Sequence, residues 1–316
     1  ILLKIGAALT CGTDLKVYRR GYHAAMLKPP CVFGHECAGT VVAVALSAGQ
    51  ARFKVGDRVV VANSAPCGAC YFCQRAQENL CEDLQFLNGA YAEYLRVPAR
   101  FVERNTHALP KDLGFEEAAL TEPLACVLHG VEETAPRAGE RVAVLGLGPI
   151  GLLFVAILKA RGCRVAGVGR HAPRLELARA LGAEEVFEAD AGGKWRQALR
   201  QAGPLDVVVE ATGLPEVWSQ ALELVRRGGR VNLFGGCPEG ARVDLDTRRL
   251  HYDQLTILSS FHHRPADISA ALDVIAKKVI QPRQFISEER PLEELPALFQ
   301  EMLAAKRQVK VSIKMQ

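Results

Sequence analysis

The strongest constraint in the chain is an alternation. Six short apolar runs recur beyond residue 134: Val142–Leu145, Val165–Val168, Val186–Glu188, Val207–Glu210, Val231–Phe234 and Thr256–Leu258. Helical segments separate most of them. One is Pro173–Leu181, with Leu175, Ala178 and Leu181 on one face and Gly182 as its stop. Strands alternating with crossover helices imply a parallel sheet covered on both faces. The expected class is therefore α/β, with a six-stranded doubly wound parallel domain.

The first of these strands runs into Gly146-Leu147-Gly148-Pro149-Ile150-Gly151, a G-x-G-x-x-G pattern followed by an apolar helix. Glycines there allow a tight turn and let backbone N–H groups approach a pyrophosphate at the helix N-terminus. Without that context the pattern would be a plain strand–turn–helix. The expected cofactor residues are Gly146, Gly148, Pro149, Ile150 and Gly151, joined by Thr212 after the fourth strand. Gly169 and Arg170 follow the second strand, where an NAD site usually places Asp or Glu on the ribose hydroxyls. With that acid missing, Gly169 leaves room, and Arg170 supplies a phosphate donor that Arg174 joins one helical turn later. The pattern predicts NADP in preference to NAD; the bland alternative is a solvated helix start.

The regions flanking the sheet differ from it. The first third reads as short strands and loops, with Cys37–Val44 and Arg58–Val61 β-rich. After residue 260 two amphipathic helices, near Ala266–Lys277 and Leu292–Ala305, lead to a last strand at Val309–Ile313. Such a tail is too short for its own core and is expected to pack back onto the first third. The expected organisation is a catalytic domain over 1–133, a nucleotide domain over 134–260, and a returning segment over 261–316. A net charge of +4, without a dense basic run, argues against nucleic acid. The uncharged stretch Val142–Leu158 is too short and glycine-rich to span a membrane. No signal peptide is visible. The chain starts with Ile1, which suggests a trimmed start.

Ten cysteines without a secretory signal suggest metal ligands or packed thiols in a reducing, cytoplasmic setting. Cys67-x2-Cys70-x2-Cys73-x7-Cys81, in a lobe over 64–84, is compact enough to close a tetrahedron around zinc with no open position. Its intervening loop has little apolar content and would need the metal to fold. An iron–sulfur cluster is the competing reading, without a redox motif to support it. Cys37, Cys126 and Cys163 read as core thiols, Trp195 and Trp218 as packing, and the loop pair His262–His263 as solvated.

Three further segments stand apart: Cys11-Gly12-Thr13-Asp14, Gly34-His35-Glu36 and Glu122-Pro123-Leu124-Ala125. Together they offer a thiolate, an imidazole and carboxylates, enough for a zinc with three protein ligands and one open position. With the glycine loop and the cysteine lobe in this order, the chain resembles the zinc-dependent medium-chain alcohol dehydrogenases over nearly its whole length. The Glu122-Pro123-Leu124 element makes it most similar to the polyol (sorbitol-type) and threonine dehydrogenase branch.

The resemblance implies a Rossmann domain inserted in a β-rich GroES-like catalytic domain. It implies Cys11, His35 and Glu122 around a catalytic zinc, with Glu36 as a neighbouring carboxylate that ligates directly or sits behind a water. Two zinc ions per chain are expected. Such a zinc lowers the pKa of an alcohol, Thr13 accepts the proton, and hydride passes to the nicotinamide. Lys16 stands where many relatives have a relaying histidine. The expected substrate is a secondary alcohol or polyol. An L-threonine 3-dehydrogenase activity is the alternative, and a non-catalytic nucleotide binder is a third reading. A homotetramer or homodimer through the sheet edge at Thr256–Ser260 is expected, because an apolar edge strand needs covering.

Overall fold

The computed structural model describes residues 1–21, 26–27, 30–45, 52–305 and 308–315. The chain divides into two compact units: Ile1–Ala125 with His263–Gln316, and Cys126–His262.

In the second unit six parallel strands lie in the order 185–188, 164–169, 141–145, 205–210, 225–233, 256–258. Counted along the chain this is 3-2-1-4-5-6, the doubly wound order, and it reverses beside strand Arg141–Leu145. Val142 to Leu145 are buried on both faces because crossover helices cover the sheet. Helix Pro149–Ala160 is apolar all round, and its residues from Gly151 to Leu158 are buried. That places the longest uncharged stretch of the sequence inside the unit. No helix among the described residues is long and apolar enough to cross a membrane. Trp195 is buried in the core with Leu199, Leu205 and Val208. Strand Val225–Leu233 starts before its apolar run, since the exposed Arg226 and Arg227 are already extended.

The first unit is built on a seven-stranded sheet. Its main path runs 286–291, 310–314, 2–9, 36–43, 58–61, 106–108, and strand 94–96 also pairs with 2–9. Composition alone did not mark strand Leu2–Leu9, yet it is central. It takes strand Glu36–Ala43 on one side and the C-terminal strand Lys310–Lys314 on the other, antiparallel to both. Leu3, Ile5, Cys37, Val59, Val61, Val311 and Ile313 fill the core together with Leu298, Phe299 and Met302 of helix Leu295–Ala305. The expected helix over Leu292–Ala305 is broken at its start: Leu292–Glu294 is a single 3-10 turn. Pro296 has no N–H to give Leu292 in a continuous α-helix, so the helix begins next to the proline.

Candidate active site and metal centres

Cys11 ends the first strand region and caps the helix Gly12–Arg20. Its sulfur accepts from Thr13 N at 3.5 Å, and its own N–H donates to Asp14 Oδ2 at 3.1 Å. Asp14 is fully buried, and the Tyr91 hydroxyl donates to its Oδ2 at 2.6 Å. His35 precedes strand Glu36–Ala43, following Gly34 at φ 88°, a conformation that favours glycine. His35 Nδ1 lies 3.2 Å from Asp14 Oδ1. That contact orients the imidazole, in the way a carboxylate behind a histidine aims its ring at a ligand. Burial opposes charge on His35, but Asp14 and Cys11 together outweigh it and raise the His35 pKa well above the usual value. Burial likewise opposes ionisation of Asp14, and His35, Tyr91 and the Cys11 N–H together more than compensate, holding its carboxyl below the usual range.

Ligand atoms of Cys11, His35 and Glu36 lie within 4.8 Å of one another. Glu36 is gripped from the far end of the chain: Lys310 Nζ donates to its two oxygens at 2.7 and 2.5 Å and to Thr10 O at 3.1 Å. Both side chains are buried. Burial disfavours both charges, and the adjacent carboxylate holds Lys310 above the ordinary lysine range. Lys310 was not visible as a site residue, because nothing local in Gln308–Lys314 sets it apart. Glu122 lies in the first turn of helix Thr121–Thr134, outside that three-residue group. Burial pushes its carboxyl up to about 7, and the charges of His35, Glu36, Lys310 and Asp14 all act on it. Its Oε1 is 3.8 Å from His263 Nε2. Thr13 is half-buried and Lys16, one turn on, is exposed.

The four cysteines of the lobe converge. The Cys70 and Cys73 sulfurs are 3.5 Å apart, those of Cys67 and Cys73 3.9 Å, and all four lie within 4.8 Å. Zn–S bonds of about 2.3 Å at tetrahedral angles place sulfurs about 3.8 Å apart. N–H groups already point at the sulfurs: Ala69 and Cys70 donate to Cys67 at 3.4 and 3.3 Å, and Cys67 donates to Cys81 at 3.2 Å. Backbone donors from Cys73 and Glu82 bring the Cys70 thiol down to about 6, whereas burial pushes Cys73 up to about 12. Among the described residues no cysteine forms a disulfide. The donor set fits zinc.

The glycine loop has the shape a pyrophosphate needs. Gly146 takes φ 103°, and a Cβ on Gly151 would sit 1.8 Å from Gly146 O. A Cβ on Gly148, the residue before the helix, would meet nothing within 4 Å. Pro149 and Ile150 open that helix. Thr212 packs its Cγ2 towards Gly146, and its N–H and hydroxyl are both held by buried Glu210. Arg170 is exposed, while Arg174 is half-buried and its charged form is disfavoured by that burial. Gly169 plays a different part from the one the sequence suggests. It is buried, and a Cβ there would come within 3.0 Å of the Leu147 side chain, so the glycine serves packing.

The histidine pair is not solvated. His262 and His263 are 8% and 1% exposed, and His263 Nε2 lies 2.9 Å from Asn63 Oδ1. A partner 200 positions away cannot be seen in the local sequence. Cys37 and Cys163 are buried, as core thiols should be, and Cys126 is half-buried.

Comparisons with known proteins agree with this geometry. The alcohol dehydrogenase GroES-like domain matches residues 1–110, and the zinc-binding dehydrogenase domain matches 149–277. Sorbitol dehydrogenase of Bacillus subtilis is 33% identical over 304 residues, 93% of this chain and 84% of its own. L-threonine 3-dehydrogenase of Bacillus licheniformis is 31% identical over 311 residues, covering 96% and 88%. A zinc-binding dehydrogenase of Sinorhizobium meliloti 1021, solved bound to NADP, superposes with a TM-score of 0.89 at 31% identity, over 99% of this chain and 91% of that one. The chain belongs to the zinc-dependent medium-chain dehydrogenases, in the branch of the polyol and threonine dehydrogenases, and is an NAD(P)-dependent oxidoreductase of the alcohol dehydrogenase type.

Proposed function

We propose that this enzyme interconverts a secondary alcohol or polyol carbon and the corresponding ketone or aldehyde, with NADP(H) preferred. The observation that carries the reading is the convergence of half-buried Cys11 with buried His35 and Glu36, the His35 ring backed by Asp14 at 3.2 Å. Cys11 and His35 would hold a catalytic zinc, with Glu122 or Glu36 as the carboxylate partner. The four lobe cysteines would hold a second, structural zinc. Zinc supplies a Lewis acid that favours the alkoxide, and the nicotinamide supplies the hydride acceptor.

The chain's own residues do the rest. Thr13 stands at the helix start beside Cys11 and takes the alcohol proton on its hydroxyl. Exposed Lys16, one turn further along that helix, leads the proton towards solvent. Lys310 neutralises Glu36, so that a site already carrying a thiolate and the Glu122 carboxyl does not accumulate negative charge. Gly146, Gly148 and Gly151 bring backbone N–H groups to the pyrophosphate. Arg174 and Arg170 read the adenosine 2′-phosphate.

The setting follows from the same observations. Ten cysteines, with no disulfide among the described residues, suit a reducing, cytoplasmic compartment. The half-exposed edge strand Thr256–Leu258 suits pairing with a second copy, as a homodimer or homotetramer. Metal analysis should give two zinc ions per chain. A panel of polyols, diols, simple secondary alcohols and threonine, assayed with both cofactors, should give turnover with a polyol or secondary alcohol and NADP. Turnover confined to threonine would overturn the substrate reading and leave the chemistry intact.

A further inference from the structure

Tyr91 is buried at 6% exposure, and its side chain touches both segments that carry the proposed ligands Cys11 and His35. Its hydroxyl lies 2.6 Å from Asp14 Oδ2, and Asp14 belongs to the helix that Cys11 caps. Its ring packs on Gly34, immediately before His35. A Cβ at Gly34 would fall 2.9 Å from the ring atoms Cγ and Cδ2 and from Tyr91 N. The backbone locks the same contact, because Tyr91 N donates to Phe33 O at 3.0 Å and Ala90 N donates to Gly34 O at 3.1 Å. On its other side the ring meets Phe299 edge to face, with centroids 6.0 Å apart.

The hydroxyl has one proton and two acceptors in reach, Asp14 Oδ2 and the Leu9 carbonyl at 3.2 Å. The carboxylate is closer and charged, so it takes the proton. Asp14 then accepts from Tyr91 and Cys11 N on Oδ2, while its Oδ1 faces His35 Nδ1. With no solvent to replace a lost donor, the carboxylate orientation depends on this set.

We propose that Tyr91 is a positioning residue for the catalytic zinc: its hydroxyl, acting through Asp14, fixes the tautomer and aim of His35, while its ring seats Gly34. The inference rests on the reading of Cys11 and His35 as zinc ligands. Partners one step behind a metal ligand are worth about 10- to 100-fold in metal affinity, and Tyr91 stands one step further out, at about the tenfold end.

The test is zinc competition with a chelator on the full-length holoenzyme, comparing the parent with Tyr91→Phe, Tyr91→Leu and His35→Ala. Tyr91→Phe removes only the hydroxyl and keeps the ring on Gly34 and Phe299. The expected result is that Tyr91→Phe weakens the catalytic zinc about tenfold and leaves the zinc of the four cysteines unchanged. Tyr91→Leu, which also loses the ring, should weaken the catalytic zinc further. In residually active enzyme Tyr91→Phe should lower kcat more than it raises KM. Parent-like affinity of Tyr91→Phe for the catalytic zinc overturns the proposal, and so does equal weakening of both zinc ions, which would mark a merely structural role. If His35→Ala still binds two zinc ions, the ligand assignment itself has failed, and Tyr91 with it.

Discussion

The cysteine lobe and the Cys11–His35 centre assemble their ligands in opposite ways. The outermost lobe ligands, Cys67 and Cys81, are 14 positions apart. Between them lie two 3-10 turns, Cys73–Arg75 and Glu78–Leu80, with few buried side chains. Such a segment has little besides a metal to offset its chain entropy. In the centre, Glu36 and Lys310 are 274 positions apart, and they meet because strands Leu2–Leu9, Glu36–Ala43 and Lys310–Lys314 lie side by side in one sheet. There the fold comes first and positions the donors. The ion contact of Asp14 with His35 and the hydrogen bonds that Lys310 donates to Glu36 hold them without any metal. On the proposed reading, the lobe would need zinc for its shape and the centre would need it only for chemistry.

The sharpest way to break this contrast is His35→Ala. It removes a ligand and leaves Asp14 with Tyr91 and Cys11 N. Turnover should fall by at least about three decades, since Lewis-acid stabilisation is worth several kcal/mol. The melting temperature and the lobe zinc should hardly change, as read by calorimetry and metal analysis. A coincident loss of fold would show that the centre, too, depends on its metal for shape.

The next largest effect is on stability. Lys310→Met leaves the Glu36 carboxylate buried without its cation, which typically costs about 3–5 kcal/mol. The pH dependence has a definite sign. The folded pKa of Lys310 lies above its unfolded value, so its contribution is fully present below about pH 10.4 and is lost only as the pH rises through the folded value. Burial already raises the Glu36 carboxyl, and without the cation it takes up a proton in the variant, so denaturant melts should show a deficit that grows with rising pH, and the parent should lose its advantage only in stronger alkali. A deficit that vanishes at neutral pH would mean that the pair is not ionised.

These two regions also explain what could be read in the sequence. Short-range patterns were legible: the six strands, the glycine loop and the four cysteines each announce themselves within a few residues. The segments at Cys11, His35 and Glu122 stood out through resemblance to a family, and the structure brings Cys11 and His35 together with Glu36. What stayed hidden were contacts between residues far apart in the chain. Lys310 on Glu36, Tyr91 on Asp14 and Asn63 on His263 pair residues 77 to 274 positions apart, and no local pattern encodes such a partner. Gly169 was misread for the same reason, since the Leu147 side chain that fills the space beside it belongs to the neighbouring strand's loop.

A smaller effect sharpens the other half of the contrast. Cys70→Ser should empty or weaken the lobe, because a hydroxyl cannot replace a thiolate that backbone donors hold ionised near neutrality. A loss of about 3 kcal/mol would lower the melting temperature by roughly 6–12 °C in a unit of this size. With NADP saturating, kcat should stay within about twofold, a change of less than about 0.5 kcal/mol in barrier. Turnover falling in step with lobe zinc would show that the two regions are coupled after all.

The smallest expected effect concerns cofactor choice, where locally encoded residues meet a charge. Strand Arg164–Gly169 ends without a carboxylate, and both Arg170 and Arg174 follow it. Arg170 is exposed, so water competes for any phosphate contact it makes. Arg174 is half-buried and has already lost part of its hydration, so a phosphate beside it would gain more. A charge-assisted hydrogen bond is worth about 1.5–3 kcal/mol, or about one to two decades in affinity. Arg174→Ala should weaken NADP binding by that order, and Arg170→Ala by about threefold or less, the range of an exposed ion pair. Neither change should alter NAD binding appreciably. Gly169→Asp is a poor test of charge, because its Cβ would first displace Leu147. Fluorescence titration of each variant with NADP and NAD separates the two arginines. A larger loss at Arg170 than at Arg174 would reverse the ranking drawn from burial, and equal weakening of both cofactors would mean that neither arginine reads the 2′-phosphate.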